Sequence, residues 1–220
     1  FYFLFIKESV EKKDFFRLAL CGLFGVAINQ LFFFEGLNLT TPINAAIIMT
    51  VNPVLVIIIS ALLIGEKITV KKIIGIVLGI IGAGALILNS GSVSFDNDFF
   101  IGNILVLINA TSYAIYLVLV KGLMKKYNPL TVMFFVFLFG LFFVLPFGYQ
   151  DLNSINLDSF TNDIYLKILF VVVCTTFIAY LLNAFALKSL NPSIVSIYIY
   201  LQPVLASVIA ILYNSDTIDY

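Results

Sequence analysis

The sequence predicts an all-α protein, a polytopic membrane helix bundle made of two inverted five-helix repeats, and three observations predict it. The first is composition. Of the residues, 62% are hydrophobic and 11% charged, with a mean hydropathy of +1.12, whereas a soluble domain carries about 25% charged residues. Too little polar surface remains to face water. The second is length: seven apolar runs reach or approach the roughly 20 residues that span a bilayer, and each is continuous where a membrane β-barrel would alternate. The third is repetition. Thr41 to Thr69, TPINAAIIMTVNPVLVIIISALLIGEKIT, lies without a gap on NPSIVSIYIYLQPVLASVIAILYNSDTID, 150 positions further on. Pro42 falls on Pro192, Pro53-Val54-Leu55 on Pro203-Val204-Leu205, and Glu66 on Asp216. A repeated membrane-length segment marks a carrier built from two related halves.

Phe1 to Ile6 is too short to span a bilayer or to act as a signal peptide and reads as the end of a helix. After the charged loop KESVEKKDFFR comes α1, about Phe15 to Leu37. Helix α2 is Pro42 to Ile64, with proline in the first turn, where its missing N–H is harmless. Helix α3, about Val70 to Leu88, follows a candidate N-cap at Thr69. The polar loop NSGSVSFDND separates a first repeat, residues 1–89, from a second, residues 99–220. In the second, α4 runs from about Phe99 to Gly122, and Asn128-Pro129 breaks before α5, about Leu130 to Tyr149. The acidic loop QDLNSINLDSFTND leads to α6, about Ile164 to Leu187, and Asn191-Pro192 opens α7, which ends near Tyr213. By the repeat, a counterpart of α3 is expected after Asp216. Each repeat is therefore expected to be incomplete here, with seven helices and a stub out of ten.

Orientation follows from charge, because Lys and Arg stay on the cytoplasmic side. Alternating the loops places eleven of the 12 Lys and Arg residues on one side and Lys167 alone on the other. The acidic loops, with Asp96, Asp98, Asp151, Asp158 and Asp163, then face outward. Helix α2 runs inward and its echo α7 outward, so the repeats are inverted, as an odd number of helices per half requires. The expectation is a multi-pass protein of the cell (inner) membrane whose Lys/Arg-rich loops are cytoplasmic, with the lipid bilayer as its surroundings. Nucleic acid is not an expected partner, since no basic patch exists outside short loops. Histidine is absent, which removes the commonest acid/base group and metal ligand. Cys21 and Cys174 lie within apolar runs and read as small buried hydrophobes. An intramembrane enzyme would need convergent acids or a nucleophile pair, and none is legible, so no catalytic, metal or cofactor role is expected.

The stretch FFFEGLNLTTPINAAIIMTVNPVLVIIISALLIGEKITVKKIIGIVLGIIGAGAL resembles the EamA repeat of the drug/metabolite transporter (DMT) superfamily. The matching features are the aromatic-Gly-Leu-x-x-Thr entry, Asn44-Ala45-Ala46, mid-helix Pro53, Gly65-Glu66-Lys67-Ile68-Thr69 and the glycine-rich helix after it. The second half resembles the same repeat in Gly102 to Tyr116 and in Asn191 to Leu205, and departs from it at Asn214-Ser215-Asp216. The resemblance implies a ten-helix inner-membrane secondary transporter, usually an exporter of a small metabolite or amino acid, working by alternating access without a cofactor. Its partner would be a small-molecule solute, and a homodimer is one assembly open to it. A non-transporting scaffold or assembly protein remains the alternative.

Polar side chains inside the spans fall in helical stripes. Asn109, Ser112, Tyr113 and Tyr116 share a face of α4, and Thr176, Tyr180 and Asn183 a face of α6. Gln30 of α1 is the repeat equivalent of Tyr180; α2 offers Asn44 and Asn52, and α7 offers Ser196, Tyr200 and Gln202. One such stripe is ordinary interhelical hydrogen bonding, whereas four with inverted symmetry argue for a shared polar cavity. At its centre the expected substrate site is Asn52-Pro53 with Gln202-Pro203. Asn52 and Gln202 are each the eleventh residue of their span, hence near the midplane, and each proline deprives the carbonyl four residues back of its donor. The competing account is that the prolines only bend their helices. Glu66 is either a loop charge pairing with Lys71 and Lys72 or a gate latch at the cytoplasmic mouth. Glu35, one turn from the outer end of α1, either snorkels to the headgroups or couples transport to a proton or an ammonium group. Gly75, Gly79 and Gly82 make a groove for close helix contact.

Overall fold

The computed structural model describes residues 8–89, 99–155 and 160–205, and the regular elements among them are helices. The expectations for Phe1 to Ile6, for the inter-repeat loop with Asp96 and Asp98, for Asp158, for the end of α7 and for Asp216 lie outside the described residues. The helices are α1 Lys12–Asn38, α2 Pro42–Ile64, α3 Val70–Asn89, α4 Phe100–Met124, α5 Pro129–Ser154, α6 Asn162–Ser189 and α7 Pro192–Leu205. Among the described residues, α1, α2, α4, α5 and α6 are long and apolar enough to cross a membrane.

The ends form as their residues dictate. Thr41 Oγ1 accepts the Asn44 N–H at 3.1 Å ahead of Pro42, and Asn128 Oδ1 accepts the Leu130 N–H at 3.0 Å ahead of Pro129. At the far end of α2, Gly65 takes the left-handed conformation, φ 65°, and the Glu66 N–H returns to the Ser60 carbonyl at 3.2 Å. Only glycine enters that region without a Cβ clash. Helix α5 corrects the sequence reading: it continues through residues 150–154, which were expected to open the acidic loop, and it does so past Pro146. A proline inside a helix removes one backbone hydrogen bond without having to end the helix.

The chain divides into two compact units: Phe1–Ala27 with Leu119–Leu190, and Ile28–Val118 with Asn191–Tyr220. Helices α1 and α4 contribute to both. In the first unit α1 lies against α5 at distances that exclude side chains. A Cβ on Gly22 would fall 2.7 Å from that of Phe139, and one on Gly140 2.6 Å from that of Val26. Between membrane helices, association comes from such close packing, because lipid tails are as apolar as the side chains. Phe15 adds edge contacts to Phe135 and Phe139, with ring centroids 5.3 and 6.5 Å away.

Polar groups close one end of this unit. Asp14 accepts from Lys126 Nζ and from the Tyr127 hydroxyl, both at 2.6 Å, and Glu11 accepts from Lys126 at 2.6 Å and Lys13 at 2.8 Å. Glu8 accepts the Asn128 N–H at 2.9 Å, and Arg17 Nε donates to the Leu119 carbonyl at 2.9 Å. Lys121, at the expected end of α4 and counted with the cytoplasmic charges, is buried. It lies in the last turn of α4, 5% exposed, and donates to the carbonyls of Leu187 at 2.6 Å and Leu190 at 2.5 Å. A cation on the orphan carbonyls at the end of α6 satisfies them and opposes the helix dipole. Cys21 is buried as expected, but Cys174 is exposed on α6, a helix whose first turns bury nothing. In lipid an apolar residue has no need of burial, so apolar context alone does not place it inside.

The Lys126 ammonium, ahead of Lys13, holds the Glu11 carboxyl below its ordinary 4.5, and Asp14, ahead of Glu11, holds the Lys126 ammonium above its ordinary 10.5. A depressed carboxyl contributes stability above its unfolded pKa and loses it as pH falls through the folded one. A raised ammonium contributes below its unfolded pKa and loses it as pH rises. The bracket is therefore complete between pH 4.5 and 10.5. Replacing Lys126 by Met should lower the thermal midpoint in detergent at pH 7, and the difference from the parent should shrink steadily once pH falls below 4.5. A difference independent of pH would contradict the ionic account.

Candidate functional site

In the second unit, Gly36 and Gly102 bring α1 and α4 together: a Cβ on Gly102 would meet the Leu39 carbonyl oxygen at 2.5 Å, and one on Gly36 would meet the Val106 side chain at 2.8 Å. Donors inside this contact are paired, while the buried Asn109 Oδ1 has no hydrogen-bond partner among the described residues. Asn109 Nδ2 donates to the Asn29 carbonyl at 2.5 Å, the Thr40 hydroxyl to Asn103 Oδ1 at 2.6 Å, and Asn44 Nδ2 to the Thr40 oxygen at 3.3 Å.

Two helices break at equivalent places. Helix α2 is regular over Pro42–Met49 and again over Asn52–Ile64; between them the N–H groups of Thr50 and Val51 turn to the carbonyls of Ile47 and Ile48, both at 3.0 Å. Helix α7 is regular over Pro192–Ile197, tightens to a 3₁₀ turn over Tyr198–Tyr200 and resumes at 201–205. In each the break precedes the proline that cannot donate to it. The breaks meet: the Tyr200 hydroxyl donates to the Thr50 carbonyl at 2.9 Å, and Thr50 and Tyr200 are themselves repeat equivalents. The ring has its seat on Gly79 of α3, where a Cβ would overlap a carbon of the ring. Of the predicted glycine groove, Gly79 is the position with no room for a side chain; Gly75 has ordinary contact with Ile197 at 3.9 Å, and Gly82 has nothing within 4 Å.

Beside the breaks lies a cavity of about 470 Å³, walled by Phe33 and Leu37 of α1, Ala46 and Met49 of α2, and Ile199 and Gln202 of α7. Of the residues expected to bind substrate, Gln202 and Pro203 line it. The others are placed elsewhere. Asn52 and Pro53 are buried, Asn52 only 2% exposed, on the segment of α2 that packs against α7. Among the described residues the Asn52 Oδ1 there has no hydrogen-bond partner, nor has Ser60 Oγ two turns further along α2. Asn44 bonds Thr40, and Gln30 donates to Asn29 Oδ1 at 3.3 Å. On α4, Ser112 Oγ returns to the Asn109 carbonyl at 2.8 Å, and the rings of Tyr113 and buried Tyr116 lie 6.0 Å apart. Tyr180 and Asn183 belong to the first unit, where the Tyr180 hydroxyl donates to the Gly25 carbonyl at 2.8 Å. The stripes are thus largely occupied with partners inside the protein, the first demand on any polar group that lipid surrounds.

Glu35 is exposed. The Glu66 side chain is only 7% exposed, accepting Lys72 Nζ at 2.7 Å and the Ser193 hydroxyl of α7 at 2.9 Å. The local pair expected of Glu66 forms with Lys72, and Ser193 joins it to a span of the other repeat. Sequence reasoning missed Thr50, although its equivalence to Tyr200 was legible in the repeat. It also missed π-helical turns in α1, over Leu23–Ile28, and α6, over Val171–Ile178, which overlap under the same shift and have no residue signature. Such wide turns are frequent at functional sites.

Replacing Tyr200 by Phe should cost about 1 kcal/mol of stability, the scale of one interhelical hydrogen bond. Gly79→Ala, which displaces the ring itself, should cost more than Tyr200→Phe in the same unfolding measurement. Equal stability of the parent and both variants would show that the contact carries no energy.

The family model for the EamA-like transporter family matches residues 1–88 and 100–219. Among curated relatives, an uncharacterized transporter of Archaeoglobus fulgidus is 27% identical over 225 residues, covering 99% of this chain and 75% of its own. The uncharacterized transporter YyaM of Bacillus subtilis is 25% identical over 207 residues, 93% of this chain and 68% of its own. One crystal structure superposes with a TM-score of 0.79 at 18% identity over 96% of this chain and 73% of that one, a likeness of fold.

Proposed function

Because the chain belongs to the EamA-like transporter family, we propose that it is a secondary carrier that exports a small organic solute by alternating access, with the breaks of α2 and α7 at its moving centre. The chain is a multi-pass membrane protein of a transporter family. The observation that supports the proposal is the meeting of repeat-equivalent breaks at Thr50 and Tyr200 beside a cavity of about 470 Å³, a size within the range of small-molecule sites. Interrupted helices at a repeat interface are where carriers of inverted design hold their solutes. Gln202 and Pro203 contribute to the solute's compartment directly, and Asn52 and Pro53 act through the α2 break.

Glu66, Lys72 and Ser193 form the clasp of one mouth, joining the end of α2, the start of α3 and the start of α7. By the eleven-to-one distribution of Lys and Arg, that mouth faces the cytoplasm of a cell whose inner membrane holds the protein, singly or as a homodimer. Sidedness is tested with Lys125→Cys and Thr161→Cys, each in a background lacking Cys21 and Cys174. An impermeant thiol reagent should label Thr161→Cys in intact cells and leave Lys125→Cys unlabelled, and the reverse pattern would invert the assignment. Transport is tested by counterflow of labelled metabolites in proteoliposomes. Gln202→Leu should raise the apparent KM at least several-fold with folding retained, and Glu66→Gln should alter turnover with KM little changed. Transport parameters unchanged in both variants would move the site and the gate elsewhere, and no counterflow with any solute would remove the carrier reading.

A further inference from the structure

We propose that the cavity beside the α2 and α7 breaks takes an uncharged solute, with an apolar body and one hydrogen-bonding end, and rejects zwitterions and ions. The proposal rests on the transporter reading above and narrows it to a chemical class. Among the described residues the lining holds no carboxylate, amine or guanidine, its one titratable group being the Tyr200 phenol, and Phe33, Leu37, Met49 and Ile199 are among its apolar side chains. Among the described residues, the acids nearest to it along α1 and α2 are not available to it. Glu66 is bound by Lys72 and Ser193, and Glu35 is absent from the lining.

Backbone groups do not make up for this lack of charge. A broken helix can hold a carboxylate when its freed amides point at the ligand. Here the N–H groups of Thr50, Val51, Val54 and Leu55 all bond to carbonyls within α2, at 3.0 to 3.1 Å. The two hydroxyls that border the cavity are likewise directed at backbone oxygens, Thr50 at the Ile47 carbonyl, 2.6 Å, and Tyr200 at the Thr50 carbonyl, 2.9 Å. Gln202 remains, with an amide donor and an acceptor in one side chain. That set can pair one alcohol or amide end of a ligand. An amino acid would bring an ammonium and a carboxylate, and both would lose hydration with nothing in the wall to replace it.

The test uses four solutes that share a phenyl ring and differ in charge at pH 7: 2-phenylethanol, phenylacetate, phenethylammonium and phenylalanine. The full chain, with Cys21 and Cys174 replaced by Ala and with Ala46→Cys in the cavity wall, is placed in lipid nanodiscs and alkylated with N-ethylmaleimide. The alcohol should protect Ala46→Cys at a concentration at least roughly tenfold lower than each charged congener requires, and it should not protect Leu182→Cys on the exposed face of α6. Met49→Cys serves as a second reporter if Ala46→Cys does not fold. Gln202→Leu should raise the alcohol's half-protecting concentration by about fivefold and leave that of ethylbenzene unchanged. Protection by phenylalanine or either ion at the alcohol's concentration, or by none of the four, overturns the proposal. Counterflow of the protecting solute in proteoliposomes, measured against protein-free vesicles, separates the two readings. Protection without carrier-dependent movement keeps the solute class and removes transport, whereas movement of an unprotecting charged congener removes the class and keeps transport.

Discussion

A carbonyl oxygen released by a helix break has no water to turn to inside a bilayer, and much of this structure is arranged around that constraint. Helix α2 releases one such group at Thr50, and a hydroxyl from α7 takes it up at 2.9 Å. Helix α1 widens into π turns around Gly25, whose carbonyl accepts the Tyr180 hydroxyl at 2.8 Å. In both cases a break in the first repeat is satisfied by a tyrosine of the second. Tyrosine suits the task, since its rigid ring crosses the apolar gap between helices and presents a hydroxyl at the far end. A break so satisfied leaves no bare carbonyl facing lipid.

The same constraint explains where the small residues are. A tyrosine can reach across only if the backbones come close, and the backbones come close only where Cβ atoms are missing. Gly79 beneath Tyr200, Gly22 and Gly140 between α1 and α5, and Gly36 and Gly102 between α1 and α4 are those places. In water such contacts would compete with the burial of larger apolar groups. In lipid there is no hydrophobic force between helices to lose, so shape and hydrogen bonding decide which faces meet. The consequence appears on α6, whose apolar side chains are abundant and yet mostly exposed.

Charge is kept to the ends, and there it fastens elements. Lys121 closes the carbonyl end of α6, Lys126 ties the start of α1 to the α4–α5 turn, and Glu66 joins three helix ends through Lys72 and Ser193. The interior is left with neutral polar groups, many of which pair among themselves, while Asn52 Oδ1 and Ser60 Oγ have no partner among the described residues. A compartment formed in such surroundings has an apolar wall with few hydrogen-bonding points, which is the character of the cavity beside the breaks.

By itself the sequence determined the fold class, the membrane setting, the helix order and the position of both breaks. These follow from long apolar runs, from prolines at fixed offsets and from a repeat in register, all of which act locally along the chain. Pro53 and Pro203 each withhold a donor from the carbonyl four residues back, and the turns ahead of both depart from regular helix, whereas α5 carries Pro146 without a break. The tertiary structure alone decided which polar residues became partners and which border a cavity. Asn109, Asn44 and Tyr180 have the same residue character as Gln202, yet they bond Asn29, Thr40 and Gly25, while Gln202 borders a cavity. Helical spacing places a side chain on a face but does not say what the facing helix offers there. That depends on the approach of backbones set by glycines far away in sequence, and on carbonyls freed by breaks in other helices. The same reason separated Lys121 from the other lysines and Cys174 from Cys21: identical residues, sorted by neighbours that only packing supplies.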